Sequence, residues 1–320
     1  MPNWNQVLKE IQNCPRTDKL DYIRLRYLKK LFRKTGRNII CYYSGFLQKN
    51  IRNIVEINDA DKNGFMTTIH KLDRSKGLDL FLHTPGGQIA ATESIVNYLR
   101  KMFGNDIRAI IPQIAMSAGT MIACSCKEII MGKQSNIGPI DPQFSGIPAQ
   151  GVLDEFKRAM EEVKKDPASI PIWQQIISKY HPTFIGECQH AVELAEELVK
   201  EWLITGMFSE DSHKNAKATT VIEKLGSHKE TKTHSRHIHI EQALEMGLKV
   251  LSIEDFDDEF QDLVLTIHHC YMHTFAQSTS VKIIENHRGE RMVLHIKEII
   301  QHMPRNIQQI APPDGLPARR

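Results

Sequence analysis

Apolar residues recur at intervals of three and four across residues 1–37 and stop at Gly36, so the chain is predicted to open as helix. The next segment, NIICYYSG (38–45), is rich in β-branched and aromatic residues and ends on glycine, the pattern of a strand. DADKNGF (59–65) has the first half of a calcium loop, but the twelfth position from Asp59 is His70 where a bidentate Glu is needed. It is read as a turn capping a helix that runs to about Lys76, with Gly77 beyond its end. LDLFLHTPGG (78–87) is an almost unbroken apolar strand leading into a glycine pair, and QIAATESIVNYLRKMF after it has helical periodicity. The alternation continues with a buried strand at DIRAIIPQ (106–113), a helix at AMSAGTMIACSC and a third strand at EIIMG (128–132). Strands without polar alternation, separated by helices, predict a parallel sheet covered on both faces.

Further on, a helix is predicted for 151–164, broken by DPASIPIW (166–173), then a long acidic amphipathic helix from about Phe184 to Trp202. HIEQALEMGLKV (239–250) reads as a helix ended by Gly247 that leads into a strand. From Asp255 the chain carries one long helix, a short hairpin around NHRGERMV (286–293) and a Pro-rich end, APPDGLPARR, expected to be disordered.

The totals remove several function classes. A length of 320 residues supports one large domain or two smaller ones, and 41% apolar with 25% charged residues is ordinary for a globular chain. A net charge of +3 is too even for a dedicated nucleic-acid or anionic-membrane binder. Arg24, Arg26, Lys29, Lys30, Arg33 and Lys34 interleave with Leu25, Leu28, Leu31 and Phe32, and are read as the wet face of an amphipathic helix. No run approaches the ~18 apolar residues of a membrane span, and the start lacks the pattern of a secretory leader. Six scattered cysteines, with no paired CxxC spacing, fit buried free thiols in a reducing cytoplasm. His268, His269 and His273 have helical spacing but no acidic third ligand at a telling interval, so no metal is expected.

Two segments carry candidate chemistry. Serine hydrolysis needs a hydroxyl on a rigid turn, a nearby base, and N–H groups aimed where the oxyanion forms. Ser117 lies in AMSAGT, between a buried strand and a small-residue helix whose first turn offers unpaired N–H groups. TPGG puts Gly86 and Gly87 at the carboxyl edge of the sheet, where ligands gather. Taken singly, TPGG is an ordinary strand-to-helix turn and Ser117 an ordinary helix N-cap. Together, about thirty residues apart on successive strands, they are far more specific.

HTPGGQIAATESIVNYL, AMSAGTMIACSC and SNIGPIDPQ resemble the serine dehydrogenase proteinase family of the Clp/crotonase superfamily. That superfamily also holds signal peptide peptidase A and the Clp protease proteolytic subunit. NIICYYSGFL, EWLITGMF, HIEQALEMGL, YMHTFAQS and KIIENHRG extend the resemblance over roughly residues 35–292. It implies an α/β fold, a Clp/crotonase-like ββα spiral with a mainly parallel sheet covered by helices. The expected organisation is a helical extension (1–36), a catalytic domain (37–254) and a C-terminal helical extension with a disordered tail (255–320). It further implies a Ser117 nucleophile, Gly86 and Gly87 near the oxyanion hole and the Ala118 amide as a further donor, with no cofactor. The implied substrate is a peptide or unfolded protein, and the implied assembly a homo-oligomer. No Walker A pattern is present, so any ATP-driven unfoldase would be a separate chain.

The general base is the open position. Where Clp-type enzymes carry a histidine after the third strand, this chain has PIDPQ, with Asp141; where other relatives carry a lysine, it has Gln150, with Lys157 and Lys164 beyond. An exposed lysine would be protonated, with a pKa near ~10.4. His234, in THSRHIHIEQA, is the preferred base with Asp141 orienting it, and His237 and His239 are rivals. The competing class is an oligomeric scaffold or peptide-binding module that has kept the fold and lost catalysis. Crotonase-like acyl-CoA chemistry is disfavoured by the serine in SAG and by the lack of a basic nucleotide pocket.

Overall fold

The computed structural model describes residues 4–49, 51, 54–144, 146–226 and 235–296. The tail beyond 296, including APPDGLPARR, lies outside these residues, as does His234. Two helices, α1 (Trp4–Asn13) and α2 (Lys19–Thr35), fill the first predicted helical stretch, separated at Pro15, and Gly36 closes α2 in the left-handed conformation (φ 68°). The core follows as β1 (Asn38–Ser44), α3 (Asp61–Ile69), β2 (Leu78–His83), α4 (Ile89–Phe103), β3 (Ile107–Ile111), β4 (Ile114–Ala115), α5 (Ala118–Cys124), β5 (Glu128–Met131) and β6 (Asn136–Ile137). Helix α3 ends earlier than the periodicity predicts, at Ile69, and only a 3₁₀ turn at Arg74–Lys76 follows.

A small hairpin, β7 (Gln143–Phe144) and β8 (Ile147–Pro148), opens a helical arm of α6 (Ala149–Lys165), α7 (Ile170–Ile177) and α8 (Phe184–Thr205). Where DPASIPIW predicts only a break, a 3₁₀ turn passes into α7, because Pro171 stands in the first turn, where its missing N–H costs no bond. Then come α9 (Lys214–Gly226), which the pattern did not mark, α10 (Ile240–Glu245), β9 (Val250–Ser252), α11 (Asp258–Gln277), β10 (Ser280–Asn286) and β11 (Arg291–His295).

Seven strands form the central sheet in the order β11-β10-β1-β2-β3-β5-β9. The five from β1 to β9 are parallel, and the β10–β11 hairpin adds antiparallel to β1. Alternate strand residues enter two cores. Ile40, Leu80, Leu82, Ala109 and Ile129 pack with α3, α4, α5 and α8 on one face. Ile39, Tyr43, Phe81, Ile110 and Ile130 pack under α2 and α11 on the other. Burial on both faces explains the absence of polar alternation in the sequence. The short strands β4 and β6 pair in a second layer, which gives the repeated strand–strand–helix step.

Charge is buried where the chain's two ends meet. Arg24, read from the sequence as part of a wet face, is fully buried: its Nε donates to Glu285 Oε1 at 2.5 Å and its Nη1 to Thr274 at 3.0 Å. The helix turns that one position onto α11 and β10, while Lys29, Lys30 and Arg33 keep to the exposed face. Tyr271 donates to the same carboxylate at 2.6 Å, and the Arg24–Glu285 pair, with burial opposing it, holds the guanidinium charged. Nearby, Lys282 donates to Asp61 (2.8 Å) and to the Glu56 carbonyl (2.7 Å), and Tyr42 donates to Asp61 (2.8 Å). Glu285→Gln leaves buried Arg24 with only the half-buried Asp21 (2.8 Å) as counter-charge and is expected to lower stability by about 3 kcal/mol, read from urea unfolding monitored by circular dichroism.

Candidate active site

Ser117 sits where β4 turns sharply into α5. Its backbone is at φ 50°, ψ −115°, a strained region for a residue with a Cβ. It stands at the N-cap position of α5, but its side chain makes no capping bond to the helix. Thr84 fixes the turn from the neighbouring strand: its N–H donates to the Ile114 carbonyl (3.2 Å) and its carbonyl accepts from Met116 (3.0 Å).

The glycine pair follows directly. At Gly86 (φ 102°) an added Cβ would stand 2.8 Å from Ser117 Cβ and 2.9 Å from the Met116 carbonyl oxygen, so only glycine lets the two segments touch. At Gly87 an added Cβ would stand 2.3 Å from the Ile57 backbone nitrogen, because this residue pairs with Ile57 as a short parallel bridge. That bridge is closed by Ile57 N–H to the Gly86 carbonyl (2.8 Å) and Gln88 N–H to the Ile57 carbonyl (2.9 Å).

The backbone amides of these two segments differ in whether they are used. The Gly86 N–H donates to Thr84 Oγ1 (3.2 Å) and the Gly119 N–H to the Met116 carbonyl (2.8 Å). Among the described residues the Gly87 N–H has no acceptor, and Ala118, as first residue of α5, has none within its helix.

Ser117, Gly86 and Gly87 line one cleft of about 680 Å³. Gln88 and Ile89 at the start of α4 form one wall, Gln143 and Phe144 of the β7–β8 hairpin another, and Met121 and Ile140 contribute apolar surface. Glu56 is the one ionisable side chain among the described lining residues. No motif marks Glu56 in the sequence, because the bridge between Ile57 and Gly87 brings it there from a segment about thirty residues away.

The ClpP-like SDH-type serine proteinase family matches residues 12–292. The chain belongs to that family. Two uncharacterised proteins of Methanocaldococcus jannaschii are similar to it: MJ1495, 28% identical over 71% of this chain and 71% of its own, and MJ0137, 27% identical over 83% and 84%. A solved structure of an alanine mutant of the membrane-bound stomatin-specific protease 1510-N overlaps 61% of this chain and 74% of its own, with 19% identity and a TM-score of 0.36. Among the described residues of this SDH-type chain, no helix is long and apolar enough to cross a membrane.

The remaining candidates among the described residues fall outside the cleft lining. Asp141 is buried beside it: Ile140 and Pro142 line the cleft, while Asp141 borders a small crevice with Glu196 and Gly226. His237 is exposed, and His239 is the exposed N-cap of α10, its N–H bound to Gln242 Oε1 (3.1 Å). Lys157 is exposed on α6. His83, the last residue of β2 before TPGG, faces the other core, between Tyr43, Phe46 and His268, where burial pushes its pKa down to about 3. It is therefore a neutral packing residue. Ser117→Gly relieves the backbone strain and is expected to raise stability by about 1 kcal/mol, with Ser117→Ala unchanged, compared by urea denaturation midpoints.

Proposed function

We propose that this chain is a serine endopeptidase that cuts peptides or unfolded protein through an acyl-enzyme on Ser117. The observation that carries this reading is the strained serine turn pressed against Gly86 in a cleft, with the amides of Gly87 and Ala118 left over. A tetrahedral intermediate develops negative charge on the former carbonyl oxygen, and two preorganised N–H donors are what stabilise it. Gly86 then serves contact rather than donation, since its own amide is taken by Thr84. The open, partly apolar cleft suits an extended peptide better than a small polar metabolite.

For the base we retain His234, with Asp141 orienting it. The support is topological: Ile238, four residues after His234, bridges antiparallel to Ile137, three residues before Ile140 of the cleft lining. A triad of this kind takes the proton from the Ser117 hydroxyl during attack and returns it to the leaving amine. The second reading, a non-catalytic peptide-binding scaffold, is favoured by the lack of an imidazole or amine among the described lining residues. Self-assembly is part of the proposal: Met160, Ile170, Ile172 and Ile177 are exposed on the α6–α7 arm, and burying them between copies removes apolar surface from water.

A fluorophosphonate probe is expected to label the wild-type serine and leave Ser117→Ala unlabelled, with labelling by His234→Ala slowed at least ~100-fold. Absence of labelling in the wild type supports the scaffold reading. Gel filtration is expected to give a mass at least twice the 36.7 kDa of one chain, and elution at the monomer mass contradicts assembly.

A further inference from the structure

Away from the Ser117 cleft, at the opposite end of the parallel strands, the surface holds a pocket of about 520 Å³ in which positive charge outweighs negative. Helix α2 contributes Lys29, Phe32 and Arg33, which its periodicity places on one face. The 3₁₀ turn before β2 contributes Lys76, and the β10–β11 turn contributes His287 and Arg288. Among the described residues no carboxylate pairs with Lys29, Arg33 or Arg288. The one acid in the lining, Asp73, is 4.0 Å from Lys76 and already accepts from the Ser75 hydroxyl at 2.6 Å. Four cations against one carboxylate leave a local charge of +3, equal to the formal net charge of the whole chain.

The frame that gathers these charges is rigid. Buried Asn38 donates to the carbonyls of Asp73 (2.7 Å) and Gly77 (2.8 Å), which pins the turn carrying Lys76. Buried Asn286 accepts from the N–H groups of Arg288, Gly289 and Glu290 at 2.8 to 3.1 Å and donates to the Thr68 carbonyl, which pins the turn carrying Arg288. Arg288 Nη1 also donates to the Lys71 carbonyl (2.7 Å). The floor is the Phe32–His287 stack, with ring centroids 4.0 Å apart and planes 8° from parallel. His287 Nδ1 accepts from the Ile39 N–H (3.2 Å), so in the neutral ring the proton is on Nε2, a further donor. Burial, together with the cations Arg288, Lys76 and Lys29, holds this imidazole neutral, with a pKa of about 4. Like charges held together on fixed turns repel, and a bound anion removes that repulsion.

We propose that this pocket is a binding site for a small polyanion of the phosphate class, carrying two or more linked phosphate groups. The bonding is charge-assisted from Lys29, Arg33, Lys76 and Arg288. Phosphate groups are the chemistry selected, because fork-like guanidinium and ammonium donors converge on a space too large for one carboxylate. The Phe32 ring is already stacked on His287 and has Lys76 Nζ at 5.2 Å from its centroid, so recognition rests on charge and not on stacking of a base. The site is independent of peptide-bond chemistry and stands whether or not Ser117 is a nucleophile.

The test titrates sodium pyrophosphate into the full chain at constant ionic strength, following thermal unfolding and binding heat, with sodium sulfate and sodium chloride as references. Pyrophosphate is expected to raise the unfolding temperature by several degrees at millimolar concentration, well beyond sulfate. Lys76→Ala with Arg288→Ala is expected to weaken binding at least tenfold while leaving the ligand-free protein folded. Lys29→Ala with Arg33→Ala serves as a second pair, removing charge from the exposed helix face alone. An ADP arm separates the sources: affinity equal to pyrophosphate assigns recognition to the phosphates alone, and tighter binding assigns it to a nucleotide. Equal effects of pyrophosphate and sulfate, or binding undiminished in both double variants, overturns the proposal.

Discussion

No side chain fits between the Ile57 backbone and Ser117, because the chain at Gly86 and Gly87 touches both. Much of the cleft geometry follows from that closeness. The bridge to Ile57 places Glu56 at the cleft, and the contact with Ser117 puts two unused amides beside the serine turn. Because Gly86 spends its own N–H on Thr84, the glycine pair divides two tasks: one residue permits approach and the other keeps a donor free. A strained φ at Ser117 is sustained only because the strand pairing of Thr84 with Ala115 over-determines the turn.

The sheet was readable from the sequence for a physical reason. Strands buried on both faces cannot hide their composition, so LDLFLH, IRAII and EIIM announce themselves. TPGG and SAG were readable because close approach and a tight turn narrow the choice of residue to glycine and small neighbours. What failed to show were features created by contacts distant in the chain. Arg24 looks like any solvated helix cation until Glu285, 261 residues away, is placed against it. Glu56 has no local signature, and the partner that brings it into the cleft is Gly87. Helix α9 escaped notice because its apolar positions, Ala218, Val221, Ile222 and Leu225, are few and lie in a polar segment. His234, His237 and His239 could not be ranked from the sequence for a similar reason: three imidazoles within six residues carry no periodicity that tells one from another.

Buried ion pairs are a poor route to stability but a strong constraint on arrangement. Both pairs here, Arg24–Glu285 and Asp61–Lys282, join an early element to β10. Two carboxylates and two cations that must find each other in the dry interior leave little tolerance for a hairpin docked one register out, since a one-residue slip would turn both Glu285 and Lys282 away from their partners. The antiparallel edge is thereby specified more sharply than apolar packing alone would achieve.

The ammonium of Lys282 reaches the carbonyl of Glu56, so the wall of the cleft is tied to a strand residue 226 positions further along the chain. On a ribosome, Ser117 and both glycines emerge long before position 282 does. The segment at Glu56 can bridge to Gly86 and Gly87 early, through Ile57, but its tie to Lys282 forms only after β10 has emerged. The last tie of the cleft wall is thus made late, well after the serine turn and the glycine pair have been synthesised.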